Sequence, residues 1–116
     1  SQIATGDNSR NIRAETYIET LNQIIANAVA NTGGRVALWD ANTFFTNLAL
    51  NGGFVVDGLT LRPDFSPNGL FSTDGIHPNP RGNALAANEI IKVIEDHFDA
   101  EIPEVEVLPL RSVIFQ

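Results

Sequence analysis

Asp74 and His77, three residues apart, are the pair in this sequence best suited to moving a proton. They lie in the segment Phe71-Ser72-Thr73-Asp74-Gly75-Ile76-His77-Pro78-Asn79-Pro80-Arg81-Gly82, where Gly75 and Pro78 shape a turn. At that spacing a carboxylate can turn back to accept a hydrogen bond from Nδ1–H of the imidazole. The bond fixes the tautomer and leaves Nε2 free as a base. Proton transfer by such a base contributes a factor of about 10² to 10⁴ in rate. The same spacing also describes a turn aspartate beside a half-buried histidine with a purely structural role. A metal pair is a third reading, but only two ligands are local and the other histidine, His97, falls on an acidic helix where exposure is expected. We expect neither a metal nor a cofactor.

The surrounding pattern indicates which elements carry the pair. Asn79 can cap a helix, with Pro80 in its first turn, and apolar residues at Ala84, Ala87, Ile91, Ile94 and Phe98 predict one buried stripe to about Phe98. Upstream, Tyr17, Leu21, Ile24, Ile25, Ala28 and Val29 recur at spacings of three and four, predicting a buried stripe on a helix capped by Asn8 or Ser9 and ended by Gly33-Gly34. The apolar run from Arg35 to Asp40 has no polar alternation, as in a strand covered on both faces. A helix followed by such a strand suggests an α/β fold with a parallel sheet. Asp40 is then placed at the strand's carboxyl end, as a cap of the adjoining loop or as a ligand residue. Asn42 or Thr43 can start a short helix stopped by Asn51-Gly52-Gly53. Asp57-Gly58 between two β-prone runs predicts a small β-hairpin. Residues 62–73 read as a long ordered loop, and 102–116, punctuated by Pro103 and Pro109, as an extended C-terminal tail.

Composition narrows the functional classes. The chain has 116 residues and a net charge of −7, which argues against binding nucleic acid through phosphate neutralisation. Much of the excess sits in Glu95, Asp96, Asp99, Glu101, Glu104 and Glu106, a window that lacks the glycine and alternating ligands of a calcium loop. Cysteine is absent, which removes disulfides and thiolate metal sites. No apolar run approaches the ~20 residues of a transmembrane segment. The first residues lack the charged-then-apolar order of a signal peptide.

Asp74-Gly75-Ile76-His77-Pro78-Asn79-Pro80-Arg81-Gly82 resembles the final motif of the SGNH or GDSL family of esterases and lipases. In that family an Asp-x-x-His pair stands just before the last helix. The resemblance covers roughly residues 7–98, although only the block from Asp74 to Gly82 is specific. It is most similar to larger, Bacteroidetes-type members, with Gly69-Leu70-Phe71-Ser72 as the approach to the motif. It implies a three-layer α/β/α flavodoxin-like fold with a parallel sheet, of which this chain is the C-terminal portion. Residues 1–116 would then belong to a single domain, with 99–116 as the tail.

The resemblance further implies that His77 deprotonates a serine and then protonates the leaving alcohol, while Asp74 orients and charge-balances it. The family's serine and oxyanion-hole residues come from earlier blocks than those matched here. Gly6-Asp7-Asn8-Ser9 echoes Gly-Asp-Ser, but too little chain precedes Ser9 to form the strand a nucleophile requires. Ser66 and Ser72 lie in the long loop and read as turn or capping residues. The expectation is therefore a half site whose partner is the N-terminal portion of the same protein, inactive by itself and completed into a hydrolase of acyl, acetyl, lipid or carbohydrate esters. Export or attachment to the cell envelope is implied by the resemblance alone. Two other readings stay open: a non-catalytic cell-envelope binding module that retains the fold, and an autonomous small α/β domain in which Asp74 and His77 are structural.

Overall fold

The computed structural model describes residues 9–112, which form three helices and one two-stranded antiparallel sheet. The chain divides into two compact units, Ser1–Leu38 and Trp39–Gln116.

The first unit contains α1, Ser9–Ala30. Asn8, one of the two capping residues expected from the sequence, lies outside the described residues. Beyond the helix, Thr32 N–H donates to Val29 O at 3.0 Å, and Gly33 and Gly34 take positive φ values of 66° and 85°, the conformation a helix terminus hands most readily to glycine. The apolar stripe expected to be buried is not. No residue of α1 is buried, and Tyr17 is 73% exposed, with Leu21, Ile24 and Ile25 also exposed. Periodicity identifies the apolar face of a helix but carries no information about what covers it.

The strand expected at 35–40 is also absent. These residues join no ladder, and Val36 and Leu38 are exposed. An apolar run becomes a strand only when another strand accepts its backbone hydrogen bonds, and none of the described residues does so here. The parallel sheet inferred from this run is therefore not formed by the described residues.

The second unit begins with α2, Ala41–Leu50. Asp40 caps it: Oδ1 accepts from Thr43 N–H at 3.0 Å and Oδ2 from the Thr43 hydroxyl at 2.7 Å. These two bonds, the backbone one first, hold the Asp40 carboxyl below the usual aspartate range. The helix ends at Asn51-Gly52-Gly53, as its sequence suggests. The hairpin comes next, with β1 at Phe54–Val56 and β2 at Leu59–Leu61 in the register Phe54↔Leu61 and Val56↔Leu59. Its turn, Asp57-Gly58, takes φ values of 47° and 83°, the two positive values a two-residue hairpin loop requires.

The final helix, α3, spans Pro80–Phe98, with Asn79 as N-cap and Asp99 in the left-handed conformation at its C-terminus. Leu48 from α2, Leu61 from β2, Leu70 from the loop, Ala84 and Leu85 from α3 and Val107 from the tail make one buried cluster. Phe44, Phe45, Phe54 and Phe71 pack around it. Ring contacts link Phe44 to Phe54 and Phe45 to Phe71, both with centroids 6.3 Å apart, so the loop before the Asp74–His77 turn is tied to α2. Residues 101–112 form no strand. The tail instead docks on α3, with Asn88 bonding both the N–H and the C=O of Val105 and Arg81 donating to Leu108 O and Leu110 O.

Candidate active site

The candidate site is built on a short closed loop. Loop residue Arg62, just after β2, bonds backbone to backbone with Asn68 and Leu70, through Arg62 N–H to Asn68 O at 2.8 Å and Leu70 N–H to Arg62 O at 3.0 Å. Within this loop Asp64 Oδ1 accepts the hydroxyl of Ser66 at 2.5 Å and its N–H at 3.0 Å, while Oδ2 meets Arg62 Nε at 2.9 Å. Ser66 is thus a turn residue, as its position in the sequence suggests. The Ser66 hydroxyl first, then its N–H and the Arg62 guanidinium, hold the Asp64 carboxyl below its usual range.

The chain then doubles back on itself. Phe71 and Pro78 form an antiparallel bridge, Ser72 N–H donates to His77 O at 2.7 Å, and Asn79 N–H donates to Leu70 O at 2.9 Å. Residues 72–77 are therefore a loop pinched at its base. The base is anchored by Asn79, which is buried. Its Nδ2 donates to Gly69 O at 2.7 Å and Phe71 O at 3.2 Å, and its Oδ1 accepts from Gly82 N–H at 3.0 Å. One side chain thus caps α3 and holds the strand-like segment that leads into the turn. Gly82 permits the close approach: a Cβ there would lie 2.1 Å from Leu70 O.

At the tip, Asp74 gathers donors from the turn. Its Oδ1 accepts from Ile76 N–H, His77 N–H and the Ser72 hydroxyl, each at 2.9 Å. Gly75, at φ 72°, takes the left-handed conformation that lets the next N–H groups point back at the carboxylate. Oδ2 lies 2.5 Å from His77 Nδ1. The imidazole contact first, then the two backbone N–H groups and the Ser72 hydroxyl, push the Asp74 pKa far below its usual value. An ionised carboxylate can only accept, so Nδ1 must carry the proton in this contact. The neutral imidazole then has its lone pair on Nε2. No described residue bonds Nε2, and the His77 side chain is 79% exposed.

The expected pair is thus brought together with the expected polarity. Ser72 sits on its far side: the hydroxyl lies 2.9 Å from both Asp74 Oδ1 and His77 O, two acceptors that share its single hydrogen, and it serves the turn rather than Nε2. His97, on α3, has its ring 4.7 Å from that of Phe98. Among the described residues no group of three or more His, Cys, Asp or Glu side chains is arranged to hold a metal ion. None of the described helices is long and apolar enough to cross a membrane.

Two structural features that support the site and the tail were not visible in the sequence. Asn79 was readable as a cap, but its two donors reach carbonyls eight and ten residues back, a pairing that no local pattern encodes. Asn88 reads as an ordinary polar position on α3 yet is buried, with both ends of its amide used by Val105. No family model, curated protein or solved structure matches the chain.

Proposed function

We propose that this chain supplies the base and its orienting carboxylate to a serine ester hydrolase of the SGNH type, with the nucleophile and oxyanion hole provided by an N-terminal portion of the same protein. One observation carries the reading: His77 is held through Nδ1 by an ionised Asp74 while Nε2 faces solvent, ready to accept a proton. The resemblance of the Asp74 to Gly82 block to the last SGNH motif supplies the reaction class.

In the proposed reaction a serine hydroxyl passes its proton to His77 Nε2 as its oxygen attacks the ester carbonyl. The imidazolium formed is stabilised by Asp74 and returns the proton to the leaving alcohol. Water then attacks the acyl-serine, again with Nε2 as base, and releases the acid. In the complete enzyme the apolar face of α1 and the run at 36–39 pack into a three-layer α/β/α domain with a parallel sheet, and the protein is exported or attached to the cell envelope.

Hydrolysis of p-nitrophenyl acetate tests this reading. The full-length gene product should turn over the ester, and its His77→Ala variant should be slower by about 10² to 10⁴. Residues 1–116 alone should show only the slow, non-saturating rate of an exposed imidazole toward this activated ester. Equal rates for the full-length protein and its variant would remove His77 from the chemistry. The absence of any described hydroxyl on Nε2 also fits a second reading, a non-catalytic envelope module that keeps the pair as part of its turn. Under that reading the full-length protein is inert and the Asp74→Ala change only loosens the turn.

A further inference from the structure

An open groove of about 600 Å³ lies in the second unit, and neither Asp74 nor His77 lines it. Its walls are β1, one face of α3 and the tail from Glu104 to Pro109. The volume falls within the range of ligand-binding clefts. Leu85 and Val107, both buried, form an apolar floor.

The backbone along one wall is poised to pair. In a hairpin with a two-residue turn, Val56 and Leu59 exchange backbone hydrogen bonds, as do Phe54 and Leu61, so Val55 N–H and C=O point away from β2. No described residue accepts from or donates to them, and Val55 is 62% exposed. Across the groove the tail is already fixed, since Asn88 bonds Val105 N–H at 2.7 Å and Val105 C=O at 2.8 Å. The backbone groups of Glu104 and Glu106 bond no described residue.

The rim is acidic. Asp57 from the hairpin turn and Glu104 and Glu106 from the tail make no ion pair among the described residues. Lys92 is the one cation among the described residues lining the groove, and its Nζ lies 3.5 Å from Glu89 Oε1, so it is matched by an acid of its own. An apolar floor, an open strand edge and an uncompensated acidic rim together define a chemistry for the occupant.

We propose that this groove binds an extended basic peptide, which adds a strand to the β1 edge through Val55 and directs Lys or Arg side chains to Asp57, Glu104 and Glu106. Strand addition supplies main-chain bonds that any sequence can make. Side chains of alternate residues supply the selection, one set on the apolar floor and the other at the rim. The inference stands apart from the catalytic reading and does not require it.

Fluorescence anisotropy with a labelled Lys-Val-Lys-Val-Lys-Val peptide, together with ¹H–¹⁵N chemical-shift mapping on the whole chain, tests the proposal. The peptide should bind with an affinity that falls as salt is added, and shifts should cluster at Val55, Asp57 and 104–107. The Glu104→Lys/Glu106→Lys variant, altered only at exposed positions, should bind at least tenfold more weakly. Val55→Pro removes an N–H that the ladder does not use and should weaken binding about fivefold while the hairpin persists. A Glu-Val-Glu-Val-Glu-Val peptide should not bind. No binding of the Lys-Val peptide, shifts located elsewhere, an unchanged affinity in the charge-reversed variant, or displacement by spermidine at equal charge concentration would each overturn the proposal, the last by showing attraction to any polycation.

Discussion

Asp74 stabilises its turn only while it is ionised, so the turn has a defined pH response. Its folded pKa lies below that of the unfolded chain. The stabilisation it gives is therefore complete above the ordinary aspartate range and is lost progressively as the pH falls from that range through the folded value. Tracking the Asp74 carboxyl carbon by NMR should show a midpoint well below the ordinary aspartate range. A midpoint within that range would mean that the four contacts do not persist in solution. The same geometry fixes the tautomer of His77. Long-range ¹H–¹⁵N spectra should show the neutral ring protonated at Nδ1, and Asp74→Asn should shift the population towards Nε2–H. The pair was legible in the sequence because its partners lie within a four-residue turn whose Gly75 is placed where a left-handed residue is needed. Asn88 was not, because Val105 lies seventeen residues away and only the folded tail brings it to α3.

At the level of elements, the site depends on how α3 meets the strand-like segment at 69–71. Gly82→Ala would drive a Cβ into the Leu70 carbonyl and should destabilise the second unit by about 2 kcal/mol, since the contact is to backbone and cannot rotate away. Two changes at Asn79 separate its roles. Asn79→Ser keeps an acceptor for the cap but loses both donors to Gly69 and Phe71, whereas Asn79→Ala loses the cap as well and should cost about a further 1 kcal/mol. Thermal melts of the three variants check both expectations, and equal melting of the Ser and Ala variants would show that the cap contributes little. The hairpin and the start of α3 could be read from local signals: Asp57-Gly58 at one point, Asn79-Pro80 at another. The strand expected at 35–40 and the buried face expected on α1 are not found, because both depend on partners rather than on their own residues. Apolar patterning is a statement of what a segment needs, and the described residues do not supply it.

For the molecule as a whole, the proposed enzyme joins a preorganised Asp74–His77 pair to a nucleophile that lies elsewhere in the protein. The exposed apolar residues of α1, with Val36 and Leu38, are the surfaces such a portion would cover. Covalent labelling reads that union directly, because a fluorophosphonate reports an activated serine whatever the natural ester is. The full-length protein should label at one serine upstream of residue 1, His77→Ala should abolish that labelling, and residues 1–116 alone should remain unlabelled. Labelling that survives the loss of His77, or that falls on a serine within residues 1–116, would contradict the proposed division of the site.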